Sequence, residues 1–256
     1  MLQIHFIDML HVLDNYNFIL HDDVANVTAV VDPSEEDGVL AALGARGLKL
    51  DAILTTHHHW DHTTGVAPLA KMTGCKVVGN AADAARIPSL NKPVHAGSVY
   101  HFGEYDWQVI DVSAHTMGHV IYYCAQEHIA FTGDSIFAMG CGRLFEGSAQ
   151  QLYDSLQAIM ALPDATQLYC GHEYTVANAK FALSVEPDNE AVKKRLAWAE
   201  AQRAAGQPTL PTTVALEKAT NPFVRTHSAT IREILQMADA SDVAVCAELR
   251  KRKDAF

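Results

Sequence analysis

The chain has 256 residues, of which 49% are hydrophobic, and carries a formal net charge of −11. This size suits one large domain, or a domain with a smaller companion, and the apolar content is enough for a sizeable core. The acidic balance argues against general affinity for nucleic acid or for an anionic membrane.

The first two thirds of the chain mix strand and helix signals. The predicted strands lie at residues 17–20, 27–31, 51–55, 76–78, 109–112, 120–123 and 129–131. The predicted helices lie at residues 35–43 and 65–72. Asp32-Pro33-Ser34 supplies a turn and a cap before the first helix. Such mixing of strand and helix indicates layered sheet and helix, not a helix bundle.

After about residue 172 the pattern becomes helical. Helices are predicted at residues 192–205, 229–238 and 243–252, with a breaker-rich link at 206–211. We therefore predict an α+β chain with two domains, residues 1–172 and a smaller, all-helical domain at 173–256.

The most informative segment follows the predicted strand at 51–55. Residues 57–62 contain four histidines and one aspartate in six positions. Imidazole and carboxylate are standard ligands of zinc, iron and manganese. In an extended segment His57 and His59 share a face and can reach one ion together, whereas a turn can aim Asp61 and His62 at a second ion. The segment predicts a metal site.

Three more candidate ligands lie further along the chain, each expected at the end of a strand. They are His115, Asp134 and His172, and the last two come directly after a glycine. His57, His59 and His115 can complete one ligand set, and Asp61, His62 and His172 another, with Asp134 as a bridge. Seven ligands exceed the needs of one tetrahedral zinc with an open position, so two metal ions are expected.

The order of these ligands resembles the metallo-β-lactamase fold, and several motifs resemble glyoxalase II, the hydroxyacylglutathione hydrolases. The motifs are the metal loop at 56–62, the C-G-x-x-x-E-G loop at 141–147, G-H-E-Y-T at 171–175, N-P-F-V-R at 221–225 and the ending at 251–256. The resemblance covers nearly the whole chain. It implies an αββα sandwich with a C-terminal helical domain.

The resemblance also implies the activity, the second step of methylglyoxal detoxification. The substrate would be S-D-lactoylglutathione, hydrolysed to D-lactate and glutathione. The residues implied to hold the glutathione part are Arg143, Phe145, Tyr174, Arg250 and Lys253. Some members of the family carry Lys and Tyr in place of Arg143 and Phe145, and the family usually has Gly in place of Ser34.

The expected chemistry is attack of a metal-activated water on the thioester carbonyl. Asp61 is expected to orient this water besides binding metal, and Asp134 to link the two ions. A thiol leaves readily as thiolate, so no dedicated general acid is required. His58 and His119 could hydrogen-bond to the ligands or have ordinary structural roles, and the sequence does not decide between these. Zinc is the expected metal, and iron and manganese suit the same ligands.

The same fold also serves enzymes with other activities, and these are the alternatives to a thioesterase. A nuclease is disfavoured by the net charge, a sulfur dioxygenase by the seven ligands and an exported β-lactamase by the absence of a signal peptide. Hydrolysis of lactones or other esters remains the alternative, and a metal-binding scaffold that acts through partners is disfavoured by the intact ligand set.

No apolar run could span a bilayer, and the five scattered cysteines suit reduced thiols. We expect a cytoplasmic monomer whose partner is a small glutathione thioester.

Overall fold

In the computed structural model, which describes residues 1–256, the chain forms two compact units. The first comprises Met1–Asp111 with Gly118–Gly133, and the second comprises Val112–Met117 with Asp134–Phe256. These units are not the predicted domains, whose boundary after residue 172 stays a prediction.

The first unit contains ten strands and three α-helices. In chain order they are β1 (Leu2–Met9), β2 (Asn15–Asp22), β3 (Val27–Val31), α1 (Glu36–Gly44), β4 (Ala52–Leu54), α2 (Trp60–Thr63), α3 (Val66–Thr73), β5 (Lys76–Asn80), β6 (Lys92–Val94), β7 (Val99–Phe102), β8 (Tyr105–Asp111), β9 (Val120–Cys124) and β10 (Ile129–Gly133). A 3-10 helix at Ala81–Asp83 follows β5.

Strands β1 to β6 form one sheet in sequence order. The pairs β1–β2 and β2–β3 are antiparallel, whereas β3–β4, β4–β5 and β5–β6 are parallel. Strands β7 to β10 form an antiparallel ladder in which each pairs with the next. Every residue of β2, β9 and β10 is buried. The sequences of β9 and β10 are nearly continuously apolar, whereas β2 also carries four buried polar residues, Asn15, Asn17, His21 and Asp22.

Helices α1 and α3 pack on the core of the first unit. Val39 and Leu43 of α1 lie in one buried cluster with Val66 and Leu69 of α3 and with Ile53 of β4. Helix α3 is terminated by Gly74, the residue after its last turn, which adopts φ 71°, a left-handed conformation that favours glycine. This packing fixes the strand ends from which the candidate metal loop emerges.

The second unit is mostly helical. Its elements are β11 (Ile136–Phe137), β12 (Gly140–Cys141), α4 (Ala149–Met160), β13 (Gln167–Cys170), α5 (Thr175–Val185), α6 (Glu190–Ala204), β14 (Thr212–Thr213), α7 (Val214–Thr220), α8 (Ala229–Leu235) and α9 (Asp242–Asp254). The pairs β11–β12 and β13–β14 are antiparallel. Side chains of Ser148, Asn189 and Ser241 cap helices α4, α6 and α9.

The predicted α+β class and the helical C-terminal region are confirmed, with two differences in detail. The elements that were not individually predicted are β1, β6, β7, β11, β12, β14, α4, α5 and α7. The predicted capping role of Ser34 is wrong, because Glu35 is the N-cap of α1 and makes no side-chain capping bond. The turn expected to carry Asp61 and His62 is present, since residues 60–63 form the single-turn helix α2.

All five cysteines are buried and none forms a disulfide. None of the helices combines the length and the apolar composition that crossing a membrane requires.

Candidate metal centre

The donors of the first unit lie at one edge of its parallel strands. Asp32 directly follows β3, and the metal loop follows β4. Neighbouring parallel strands end at the same edge of a sheet, so these segments meet there. His57, His62, Asp61 and Asp32 are all buried, with at most 7% of each residue exposed. Buried ionisable groups in such number indicate a bound cation or a tight polar network.

Asp32 organises this set without being one of the predicted ligands. Its Oδ1 atom accepts a hydrogen bond from the backbone N–H of Thr56 at 2.7 Å, and its Oδ2 atom accepts one from the Thr56 hydroxyl at 2.6 Å. The same Oδ2 atom lies 3.2 Å from Nδ1 of His62. Because a neutral imidazole donates from one nitrogen only, this contact leaves Nε2 of His62 available to bind a metal ion.

His57 is oriented in the same manner. The Thr56 hydroxyl donates to Asp32, so its oxygen can accept from Nδ1 of His57, 3.0 Å away. The ring of His57 lies 4.8 Å from that of His59 and 4.3 Å from that of His62, measured between centroids. One donor atom each from Asp32, His57 and His62 lies within 4.8 Å of the others. The side chains predicted as ligands in this unit are therefore brought together.

Asp61 completes the set from the short helix α2. Its Oδ2 atom lies 3.5 Å from Nε2 of His62. Ligand atoms of one tetrahedral ion with bonds of about 2.0–2.1 Å lie about 3.3–3.4 Å apart. The spacing of the two atoms thus fits donors that share an ion.

His58 and His119 also take defined positions in the first unit. Nδ1 of His58 lies 3.2 Å from Oδ2 of Asp83, which follows β5 at the same sheet edge. The ring of His119 stacks on His57, with centroids 4.6 Å apart and an interplanar angle of 15°. His58 therefore ties the metal loop to Asp83, and His119 packs against the ring of a predicted ligand, His57.

The second unit brings two of its predicted ligands, His115 and His172, close to the carboxylate of the third, Asp134. Oδ2 of Asp134 lies 3.5 Å from Nε2 of His115 and 3.2 Å from Nε2 of His172. Nδ1 of His115 lies 2.8 Å from the Arg143 carbonyl oxygen, to which it donates. This fixes the tautomer and leaves Nε2 of His115 for a metal. The donor chemistry and spacing of both units fit divalent metal ions.

A glycine permits the close approach of the loop at 141–147 to Asp134. A Cβ atom on Gly142 would overlap the carbonyl oxygen of Asp134 and lie 2.9 Å from Nδ1 of His115. The loop at 141–147 can therefore pass beside the ligands only with glycine at this position.

The five residues predicted to bind the glutathione part all belong to the second unit, but they differ in exposure. The side chain of Arg143 is 66% exposed, and Phe145 is 61% exposed, whereas Arg250 is only 6% exposed. The Tyr174 ring stacks on His172 with centroids 4.7 Å apart. Burial, followed by the charge of Arg250, lowers the pKa of Lys253.

Asp254 lies between two of these cations. Its Oδ1 atom is 2.9 Å from Nη2 of Arg250 and 3.8 Å from Nε of Arg143. Nη1 of Arg250 donates to the Cys141 carbonyl oxygen at 2.8 Å. Lys253 donates to the Ala177 carbonyl at 3.3 Å and lies over the Phe181 ring. Arg143, Arg250 and Lys253 are the basic cluster of the second unit, and the contacts of Arg250 connect helix α9 to the loop that carries Arg143.

Sequence reasoning missed several residues that support these groups. Asp32 was predicted only as part of a turn, although its φ of 48° marks an unusual backbone conformation. Asn15, Asn17 and Asp83 gave no signal, because their contacts join strand ends that are far apart in the sequence.

Two family models match the chain. The model of the metallo-beta-lactamase superfamily matches residues 23–172, and that of the hydroxyacylglutathione hydrolase C-terminus matches residues 173–256. The curated hydroxyacylglutathione hydrolase of Brucella ovis is 47% identical over 243 residues, which are 95% of this chain and 95% of that protein. The enzyme of that name from Brucella canis is also 47% identical over 243 residues, which are 95% of this chain and 94% of the Brucella canis protein.

Solved structures show the same fold. The crystal structure of ETHE1 from Myxococcus xanthus matches with a TM-score of 0.66 and 25% identity, covering 100% of this chain and 98% of that one. A metallo-beta-lactamase from Staphylococcus aureus matches with a TM-score of 0.68 and 17% identity, covering 99% and 71%. The predicted metallo-β-lactamase-like fold is confirmed.

Proposed function

The chain belongs to the hydroxyacylglutathione hydrolase family of the metallo-beta-lactamase superfamily, and we propose that it hydrolyses S-D-lactoylglutathione to D-lactate and glutathione. The observation that carries this proposal is the match to a curated enzyme of that name over 95% of both chains. The match includes the C-terminal region that follows the superfamily domain. This region carries Arg250 and Lys253 of the basic cluster proposed to receive the anionic substrate.

Seven side chains are proposed to hold two divalent metal ions. They are His57, His59, Asp61, His62, His115, Asp134 and His172. Support comes from the donor spacing within each unit and from the hydrogen bonds that fix Nδ1 of His57, His62 and His115. We propose zinc as the metal, with iron and manganese as alternatives of suitable ligand chemistry. Two bound ions would supply a water activated near neutral pH and would polarise the thioester carbonyl.

The protein's own groups then have distinct tasks. Asp134 is proposed to contact both ions, since its carboxylate has two oxygen atoms and lies beside His115 and His172. Asp61 is proposed to orient the attacking water with its second oxygen. The leaving glutathione is a thiol of low pKa compared with an alcohol, so its departure needs no dedicated proton donor.

Recognition of glutathione is proposed to depend on the second unit. The exposed guanidinium of Arg143 can pair with a substrate carboxylate, and the ammonium of Lys253 is held in the same cluster. The exposed Phe145 and the half-buried Tyr174 offer apolar faces beside His115 and His172. The buried Arg250 is proposed to reach the substrate's anionic part, although its contacts to Cys141 and Asp254 already support the loop.

The protein is proposed to act in the cytoplasm as a monomer. A second candidate function is hydrolysis of lactones or other esters, because the same activated water attacks both kinds of acyl group.

The experiment measures turnover of S-D-lactoylglutathione against that of a lactone and of an oxygen ester with the same acyl group. Under the proposal the thioester has by far the highest kcat/KM. A higher kcat/KM for the lactone or the oxygen ester than for the glutathione thioester would overturn the substrate assignment but not the proposed metal site.

A further inference from the structure

Three polar side chains of the first unit form a buried cluster behind the metal loop. Asn15 and Asn17 lie on β2, and Ser34 follows β3. Asn15 and Asn17 have no exposed surface, and Ser34 is 2% exposed. Such buried amides are costly unless they are hydrogen-bonded, so their partners define what the cluster holds in place.

Ser34 connects the two asparagines. Its hydroxyl oxygen accepts hydrogen bonds from Nδ2 of Asn15 at 3.0 Å and from Nδ2 of Asn17 at 2.9 Å. Its backbone N–H donates to Oδ1 of Asn17 at 3.0 Å. Asn17 also donates to the Asp32 carbonyl oxygen at 2.5 Å. The cluster is thus fixed to the turn that carries Asp32.

Asn15 extends from this cluster to the metal loop. Its Nδ2 group donates a hydrogen bond of 2.7 Å to the backbone carbonyl oxygen of Asp61. In a longer helix that carbonyl would accept the N–H of residue 65. Here α2 ends at Thr63, and the N–H of Gly65 donates to the Pro33 carbonyl at 3.0 Å. Asn15 therefore takes the position of the missing helical donor.

We propose that Asn15 is a positioning residue for Asp61, and that the Ser34 hydroxyl holds the Asn15 amide in the orientation this requires. The inference rests on the proposed metal site. A four-residue helix has little stability of its own, so its orientation depends on contacts from outside. Loss of this contact should lower the affinity for the ion proposed to bind Asp61 and His62 more than the affinity for the ion proposed to bind His57 and His59.

Two variants test the proposal. Asn15→Asp keeps the shape of the side chain but replaces the donor with an acceptor that faces the Asp61 carbonyl. Ser34→Ala removes the hydroxyl alone and is the milder change. Asn80→Asp is the matched control, because Asn80 is also buried in the first unit and donates to a backbone carbonyl, that of Gly118, at 2.9 Å.

The measurement is the number of zinc ions per chain and the affinity of each, by titration of metal-free protein against a competing chelator. The thermal midpoint of the metal-free protein is recorded alongside. We expect two zinc ions on the parent protein and on Asn80→Asp. Asn15→Asp and Ser34→Ala should bind the weaker ion about 10- to 100-fold less tightly, as for other groups that orient metal ligands.

The outcomes separate the two proposals. A parent protein that binds no zinc would overturn the metal site itself. A parent with two ions and variants of unchanged affinity would overturn only the role of Asn15 and Ser34. An equal loss of zinc affinity in Asn80→Asp would assign the effect to general destabilisation and would also overturn the role of Asn15 and Ser34. If Asn15→Asp does not fold, the zinc affinity of Ser34→Ala alone tests the proposal.

Discussion

Nε2 of His172 lies 3.2 Å from Oδ2 of Asp134, close to the separation of two ligand atoms on one tetrahedral ion. His172 follows β13, whereas Asp134 follows β10 in the sequence, so the contact joins residues that are distant in the chain. His115 approaches the same carboxylate oxygen at 3.5 Å. Asp134 therefore lies close to both histidines, and we propose that the metal chemistry of the second unit depends on it.

Replacing Asp134 should remove metal and activity together. Asp134→Ala leaves His115 and His172 without their shared carboxylate, and we expect turnover to fall by more than about 100-fold, because even groups that merely orient ligands cost about 10- to 100-fold. Metal per chain and kcat are measured on the same sample. Asp164→Ala is the control, since Asp164 is a surface residue paired with Lys218. An Asp134→Ala protein with full metal content would contradict the assignment.

The basic cluster should affect substrate binding and not metal content. Arg143→Ala removes an exposed cation, and the loss of about 1 kcal/mol expected for an exposed ion pair corresponds to about a 5-fold higher KM. Arg250→Ala with Lys253→Ala should raise KM further. Because buried Arg250 also donates to the Cys141 carbonyl, this double variant should lose stability too, and Lys253→Ala alone separates the two effects. Unchanged KM in all three proteins would refute the binding role.

A buried ion pair should dominate the stability of the second unit. Glu217 is fully buried, 2.8 Å from Nη2 of Arg195, and its Oε2 atom accepts the N–H of Met139 at 2.8 Å. Glu217→Ala leaves Arg195 uncompensated and should cost about 3–5 kcal/mol in the free energy of unfolding. The urea midpoint is compared with that of Glu190→Ala, which breaks an exposed pair with Lys193 and should change little. Equal midpoints for the two variants would show that the buried pair is not needed.

Glu186 should contribute stability that depends on pH. Burial raises the pKa of its carboxyl group, but hydrogen bonds from Arg225, Ser228 and Asn189 outweigh this and lower the pKa below its ordinary value. A carboxyl group with a lowered pKa stabilises the fold above its unfolded pKa, about 4.3, and loses this contribution as pH falls through the folded value. Glu186→Gln should therefore show a shallower loss of unfolding free energy below about pH 4.3 than the parent. Parallel pH profiles for the two proteins would contradict this.

The sequence predicts the metal loop well because its signal is local. Four histidines and an aspartate within residues 57–62 need no knowledge of the fold to be noticed. His115, Asp134 and His172 could be recognised only jointly, as polar residues expected at the ends of strands. The strands β3, β4 and β5 were predicted for the same reason, since short apolar runs bounded by breakers are local patterns.

The supporting contacts could not be predicted, because they depend on which segments the fold brings together. Asn15 reaches the carbonyl of Asp61 across 46 positions, and Asp32 reaches His62 across 30. Ser34 has the sequence context of a helix cap, yet its hydroxyl is committed to two asparagines instead. Helix α4 was not predicted although it carries a local signal, the capping box of Ser148 and Gln151.

The proposed function is tested most directly by stepwise reconstitution of the metal-free protein with zinc while hydrolysis of S-D-lactoylglutathione is followed. We expect no hydrolysis without metal, and activity that rises with added zinc and levels off at about two ions per chain. Hydrolysis at full rate by the metal-free protein, or two bound ions with no thioester turnover, would contradict the proposed function.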